Sequence, residues 1–234
     1  MKTTILKSLF CLLAAVLISC SDDEKPTYYP TGVPVVSKIT LREGSTTITY
    51  DLTYDAQRRI ESMVRKQDGV SVVPYYFEYS TDGYVTKFSA TGDNPDNTVY
   101  VYGVNGILSS YNNQFDGETT LKYNAVSLEY FAPTLQFSLF ENGDIKRRND
   151  RYFHYESGKK GPFANVNGNY HFLGVIGFDN FFDEIMSKNA IKHVSNSGDV
   201  IQYIFENTFN AEGYITDADV DNLTKIHYDY IMVY

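Results

Sequence analysis

Large apolar and polar residues alternate along most of the chain, most clearly in residues 50–63. The alternation runs through 50–54, is interrupted by the polar stretch 55–58, and then resumes. Successive side chains of a strand point to opposite faces, so the pattern is typical of antiparallel strands with one buried face and one wet face. Residues 50–63 therefore predict a β-hairpin.

Weaker copies of this hairpin recur almost to the C-terminus. Each has an aromatic residue, a Gly or Arg four residues later, and an aliphatic residue two positions further on. Glycine adopts the positive φ of a tight turn at no steric cost, which gives the recurrence a mechanical reason. The copies are Tyr54/Arg58/Ile60, Tyr79/Gly83/Val85, Tyr102/Gly106/Leu108, Phe209/Gly213/Ile215 and, with a turn one residue shorter, Phe140/Gly143/Ile145.

The recurrence predicts a mainly β fold, an antiparallel β-hairpin meander whose sheet is curled. Irregular intervals between the copies disfavour a strict solenoid. One interval is long: between the copies at Phe140 and Phe209 lies an insertion, and we expect any ligand pocket to border it.

Residues 172–189, inside this insertion, break the strand pattern. A helix that begins near Gly177 would gather most of their apolar side chains on one side. The acids Asp179, Asp183 and Glu184 would lie opposite, with Asp179 as the helix cap. We expect one short helix, lying across a face of the sheet and covering aromatic residues there.

The N-terminus has the features of a signal peptide in residues 1–19. Lys2 and Lys7 precede the apolar run 9–18, which is shorter than the ~20 residues of a permanent transmembrane helix. The end of the run, Leu-Ile-Ser-Cys at 17–20, resembles the lipobox of bacterial lipoproteins, which implies that Cys20 is lipidated and becomes the first mature residue. An ordinary secretory signal with an incidental cysteine is the alternative.

The residues after Cys20 predict where the domain is displayed. The run Ser-Asp-Asp-Glu-Lys at 21–25 resembles the surface-export signal of Bacteroidota lipoproteins, which implies lipid-anchored display on the outer membrane, with the periplasmic face as the alternative. Three prolines between Pro26 and Pro34 predict a flexible tether over 20–34. A single β-meander domain should then occupy 35–234.

Composition narrows the functional classes. Removal of 1–19 takes away two lysines, so the mature charge is (20 − 2) − 29 = −11, which disfavours nucleic acid as a partner. Cys11 leaves with the signal and Cys20 takes the lipid, so neither a disulfide nor a cysteine-ligated metal is expected. The 21 tyrosines and 15 phenylalanines suit half-buried strands.

The hairpin motifs also carry a family resemblance. Tyr-Asp-Ala-Gln-Arg-Arg-Ile at 54–60 and Ser-Thr-Asp-Gly-Tyr-Val-Thr-Lys at 80–87 resemble the YD/RHS-like repeats of Bacteroidota surface lipoproteins of unknown function. The segment 187–194 and the last hairpin at 208–216 resemble the way those domains close. The chain departs from true RHS shells, which have many more repeats around a cavity. The resemblance implies a hairpin meander and no known activity.

Candidate chemistry is sparse. The four histidines, His154, His171, His193 and His227, are far apart in sequence, and a lone histidine in an aromatic strand is usually a structural hydrogen bonder. No nucleophile elbow or phosphate loop is present, and no metal or other cofactor is expected. A pair of carboxylates for hydrolysis cannot be recognised from sequence, because their separation is set in three dimensions.

Three acids near the C-terminus, Asp217, Asp219 and Asp221, imitate the start of a calcium loop. The sixth position is Asn222, where the sharp turn needs glycine, and the twelfth is Tyr228, where a bidentate glutamate belongs. We therefore interpret the acids as the wet face of a hairpin strand.

The stretch 150–156 is the best candidate for binding. Tyr152, His154 and Glu156 share one strand face, whose rings and polar tips could form a small platform for a sugar or a peptide. The alternative is a strand packed under the helix, followed by a basic turn. The other face carries Arg151, Phe153 and Tyr155.

The features together favour a non-catalytic surface lipoprotein, a binding or accessory module for a glycan, a peptide or an envelope complex. Its membrane contact would be the N-terminal lipid. One alternative is a structural or host-interaction envelope protein whose sheet edges pair with other chains. A carboxylate-dependent hydrolase is the other, and it requires a buried, close pair of carboxylates in a concave pocket.

Overall fold

A computed structural model describes residues 32–91, 97–176 and 182–234. The predicted signal, Cys20 and all but the last residues of the predicted tether lie outside these ranges. A compact unit spans Val33–Val233, and its first strand begins at Val33, two residues before the expected start of the domain.

The described residues form seventeen strands, a 3-10 turn at Val104–Gly106 and two short helices. The strands are β1 Val33–Glu43, β2 Thr46–Tyr54, β3 Ile60–Gln67, β4 Val70–Tyr79, β5 Val85–Ala90, β6 Asn97–Tyr102, β7 Leu108–Asn113, β8 Gly117–Thr120, β9 Lys122–Asn124, β10 Glu129–Phe131, β11 Gln136–Leu139, β12 Ile145–Arg148, β13 Arg151–Lys160, β14 Asn189–Ser195, β15 Ile201–Phe209, β16 Ile215–Val220 and β17 Thr224–Val233. The helices are α1 His171–Val175 and α2 Phe182–Ile185.

The strands form a meander, as predicted. Each strand from β1 to β8, and from β9 to β17, pairs antiparallel with the next along the chain. The last strand, β17, pairs with β1, with Ile39 opposite Tyr228. Only Leu121 separates β8 from β9; β8 pairs with β7, and β9 pairs with β10. The sheet therefore nearly closes on itself, and neither its first nor its last strand is a free edge.

The turns of all five hairpin copies lie at one end of this sheet, which we call the turn end. Antiparallel pairing of consecutive strands brings alternate turns to the same end. The predicted turn residue has a positive φ in every copy: Arg58 (62°), Gly83 (82°), Gly106 (71°), Gly143 (94°) and Gly213 (81°). The mechanical reason inferred from the sequence is thus confirmed.

Tyrosine hydroxyls lock the hairpins together at the turn end. The Tyr79 hydroxyl donates to the backbone carbonyl of Ile60 over 2.8 Å, and the Tyr102 hydroxyl donates to that of Val85 over 2.9 Å. In each case a tyrosine at the end of one strand reaches the aliphatic residue that begins the preceding strand. Tyr155 and Tyr230 make the same bond to Ile145 and Ile215. Burial raises the pKa of Tyr79 and Tyr102, so the hydroxyls stay protonated donors.

Between β13 and β14, the described residues 161–176 and 182–188 pack inside the nearly closed sheet, and we call them the inner segment. Its residues Phe163, Phe172 and Phe182 are almost fully buried. Aromatic rings from β2, β6, β10 and β11 surround it: Tyr50 lies 5.1 Å from Phe182, and Tyr102, Tyr130 and Phe137 lie 6.1, 5.6 and 5.8 Å from Phe172. Within the described ranges, the helices are too short or too polar to cross a membrane.

The acids of the inner segment do not lie where the helical pattern placed them. Asp183 was expected on a polar side away from the apolar residues, and this prediction is wrong, because its side chain is fully buried. Arg148 and Arg151 each donate to its Oδ2 over 2.9 Å, and Arg151 also pairs with Glu184. Two cationic partners from β12 and β13 offset the cost of burying the carboxylate. The predicted cap, Asp179, lies outside the described residues.

Candidate functional site

A cleft of about 690 Å³ opens at the turn end, and we call it the turn-end cleft. Three of the hairpin turns and the start and end of the inner segment form its walls. Four carboxamides line it, together with two aromatic rings and several ionisable groups. The carboxamides are Gln57, Asn142, Asn167 and Asn169, the aromatic rings are Tyr84 and Phe140, and the ionisable groups are Arg59, Asp82, Glu141, His171 and Lys188.

Hydrogen bonds fasten the inner segment to the turns and so fix the carboxamides. The Asn167 side-chain amide donates to the carbonyl of Gln57 over 2.7 Å, and the backbone N–H of Asn169 donates to the carbonyl of Gly83 over 3.1 Å. The Oδ1 atom of Asn169 is buried and has no hydrogen-bond partner among the described residues. Carboxamides on backbone anchored at both ends keep their positions, which suits a pre-formed site.

A buried carboxylate holds the end of the inner segment against the same turns. Asp144 accepts hydrogen bonds from the backbone N–H groups of Lys188 (2.6 Å) and Asn189 (3.1 Å). The side chains of Asn142 (2.7 Å) and Asn189 (2.8 Å) also donate to it. Burial raises the pKa of Asp144, and these four donors offset part of that shift. Asp144 therefore frames the cleft rather than lining it.

His171 forms part of the floor of the cleft as a neutral ring. Burial lowers its pKa to about 3, with a smaller contribution from the charge of Lys188. The ring lies over Gly143, where any side chain would overlap it, and packs 4.6 Å from the ring of Tyr170. Its Nδ1 atom has no partner in the described part of the chain. Packing against Tyr170 and Gly143 therefore positions the ring.

Phe140 stands at the rim of the turn-end cleft with 43% of its surface exposed. Its ring meets the ring of Tyr155 edge-on at 5.8 Å, which fixes its position. It also lines a second cleft of about 680 Å³, together with His154 and Asn189. An exposed, fixed aromatic ring therefore lies between two concave surfaces.

The predicted platform residues lie on the outer face of β13. Tyr152 stacks under the guanidinium of Arg147 at 5.4 Å, and Glu156 accepts a hydrogen bond from the Asn207 side chain over 2.8 Å. His154 lies 3.0 Å, Nε2 to Oγ, from Ser195, and of the three only His154 is among the residues that line the second cleft. The structure does not bring the three side chains together around one concavity. Their role in binding stays a prediction.

The acids of the calcium-like stretch have other partners. The Asp217 carboxylate lies 2.7 Å from Nδ1 of His227, and Asp219 lies 3.8 Å from Lys225. Asp221 accepts a hydrogen bond from the backbone N–H of Ile204 over 2.9 Å. In the residues that the structure describes, no group of three His, Cys, Asp or Glu side chains is arranged to hold a metal ion.

A third cleft, of about 430 Å³, opens at the opposite end of the sheet. Glu184 and Arg151 lie in its wall beside Tyr203. Burial and, to a smaller extent, the neighbouring charge of Asp183 raise the pKa of Glu184 to about 7, against the opposing effect of Arg151. The protonation state of Glu184 therefore changes near neutral pH.

Apart from His171, the residues of the turn-end cleft were not among the candidates predicted from the sequence. One signal for them was present: the run Asn-Val-Asn-Gly-Asn at 165–169 places three carboxamides at alternate positions in the insertion. Its first member, Asn165, donates to the carbonyl of Pro34 and to the hydroxyl of Tyr214 rather than lining the cleft. The backbone conformation of the inner segment decides which of the three asparagines line the cleft. Alternation along the sequence does not determine that conformation.

No protein-family model matches the chain, and no curated protein matches it. Among solved structures, a porin-like protein from Bacteroides uniformis is similar over 87% of this chain and 100% of its own, with a TM-score of 0.45 and 14% identity. A porin-like protein from Bacteroides vulgatus is similar over 86% of this chain and 100% of its own, with a TM-score of 0.42 and 14% identity. At these TM-scores and this identity, neither description extends to this chain.

Proposed function

We propose that the protein is a non-catalytic binding module, anchored by a lipid on Cys20 at the surface of the outer membrane. The ligand is a neutral, hydroxyl-rich molecule such as a segment of a glycan, and it binds in the turn-end cleft. The anchor rests on the signal and lipobox patterns of the N-terminus, and the ligand class rests on the chemistry of the cleft.

The single observation that carries the ligand class is the set of four carboxamides beside an exposed aromatic ring. A carboxamide both donates and accepts hydrogen bonds, so it matches a hydroxyl group, which does the same. An aromatic ring covers the apolar face of a sugar. The guanidinium of Arg59, which also lines the cleft, is already paired with Asp55 at 2.6 Å. The other charged lining residues are Asp82, Glu141 and Lys188, so the cleft offers little net charge to an ionic ligand.

The experiment is a glycan array followed by titration calorimetry with the glycan that gives the strongest signal. Phe140→Ala should weaken binding about tenfold, the effect of losing roughly 1.4 kcal/mol of aromatic contact. The matched control is Phe115→Ala, which removes a ring with 71% exposure from the turn at the opposite end. An array without any binding glycan, or equal losses in both variants, would contradict the proposal.

A second function, a carboxylate-dependent hydrolase, is favoured by one observation, the largely buried carboxyl group of Glu184 in the wall of a cleft, where burial raises its pKa. Its neighbour Asp183 is buried between two arginines, which favours a structural role for the pair. Hydrolysis of a glycan by the wild type, lost in Glu184→Gln, would replace the binding proposal. Binding without any release of product would remove the hydrolase.

The structural alternative needs sheet edges that pair with other chains. Because β1 pairs with β17, the first and last strands of the sheet have no free edge that could pair with another chain. This pairing weakens the support for the structural alternative. A binding module needs no free edge.

A further inference from the structure

Two histidines lie directly opposite each other on the outer face of the sheet. His154 on β13 and His193 on β14 are partners in the antiparallel register. Their rings stack with centroids 4.1 Å apart and an interplanar angle of 15°. Spacing along the chain did not predict this pair, because the two residues belong to strands on either side of the inner segment.

Imidazole is a preferred ligand of nickel, copper and zinc ions. A bond between zinc and an imidazole nitrogen is about 2.0–2.1 Å long. Opposite residues of an antiparallel pair have Cβ atoms about 4.5–5.5 Å apart, so rotation of the side chains brings one nitrogen of each ring to a common ion. His154 is exposed and gives up only the contact with Ser195 when it turns. We propose that His154 and His193 form a two-imidazole binding site for a divalent ion of the nickel, copper and zinc group.

His227 is the matched contrast to this pair. Its Nδ1 lies 2.7 Å from Asp217 and its Nε2 lies 3.3 Å from Asp229, so both of its nitrogens are already engaged.

The site differs from the turn-end cleft in position and in chemistry. Two protein ligands leave open coordination positions for water or for a ligand atom from outside. Magnesium and calcium prefer several oxygen ligands, so they are poor occupants of a pair of imidazoles. The inference does not depend on the proposed glycan function.

The test is calorimetry of the purified chain, prepared without a polyhistidine tag, with nickel chloride and zinc chloride, and with calcium chloride as a hard-ion control. One equivalent of nickel or zinc should bind, and calcium should not. His154→Ala and His193→Ala should each weaken binding about a hundredfold, because loss of one arm removes the advantage of two linked ligands. His227→Ala, which removes another exposed imidazole, should leave binding unchanged.

Absence of nickel and zinc binding by the wild type would overturn the proposal. Equal binding by all four proteins would overturn it as well, and so would a loss confined to His227→Ala, which would move the site to the cluster around Asp217. Unchanged melting temperatures of the variants keep these results interpretable, since both side chains lie on the outer face and support no core packing.

Discussion

The tyrosine hydroxyls at the turn end are the residue-scale feature that gives the hairpin copies their regularity. Each one satisfies a backbone carbonyl where a strand begins, and the accepting residue Ile60 is fully buried. A buried carbonyl that loses its partner costs free energy, because water cannot replace the donor.

Tyr79→Phe should therefore lower the free energy of unfolding by about 1 kcal/mol. Its control is Tyr76→Phe on the same strand, where 48% of the residue's surface is exposed. Urea unfolding of both variants measures the difference. Equal stabilities of the two variants would show that the hydroxyl of Tyr79 does not hold the hairpin.

A second residue-scale prediction concerns Glu184. Its pKa is about 7 in the folded protein and about 4.5 when unfolded, so the folded state binds more protons between these values. The stability that this group contributes is present at low pH and is lost as the pH rises from about 4.5 to 7, by up to about 3 kcal/mol. Glu184→Gln should gain stability relative to the wild type over this range.

Chemical unfolding at pH 5 and pH 8 checks this prediction. The opposing contribution of His171, whose pKa is lowered, is common to both proteins and cancels in the comparison. A constant difference between the two proteins across the range would contradict the assigned burial of Glu184.

At the scale of elements, the inner segment is the part of the fold on which the rest packs. Phe182 is fully buried against Tyr50, and its neighbour Asp183 is held by two arginines. Phe182→Asp should abolish cooperative thermal unfolding, because an unpaired charge would replace a ring in the centre of the core. Phe182→Leu keeps an apolar side chain and should retain a cooperative, lower melt. An unchanged melt for Phe182→Asp would contradict the enclosed position.

The elements also show what the sequence could and could not predict. Alternation and turn glycines identified the hairpins and their turn residues, because both are local properties of the chain. The enclosed position of the inner segment was not predicted, since a helical pattern of apolar residues is the same on the outer face of a sheet and inside a nearly closed one. Asp183 can be buried because arginines on strands distant in sequence pair with its carboxylate. A local sequence pattern does not predict such partners.

At the scale of the whole unit, closure depends on the pairing of β1 with β17, the longest-range contact of the sheet. The residues that pair β1 with β17 are of the same types as those in the other strands. Composition and spacing therefore did not predict this pairing. The turn-end cleft has the same origin: its carboxamides come from two separate turns and from the inner segment, and only the closed sheet brings them together.

The most direct test of the glycan proposal follows side-chain amides by nitrogen-edited NMR while the strongest array glycan is added. Carboxamide N–H signals of Asn142, Asn167 and Asn169 should shift, because these groups line the turn-end cleft. Those of Asn149 and Asn222, in turns at the opposite end, should stay in place. Shifts confined to the opposite end, or spread equally over both, would contradict the account.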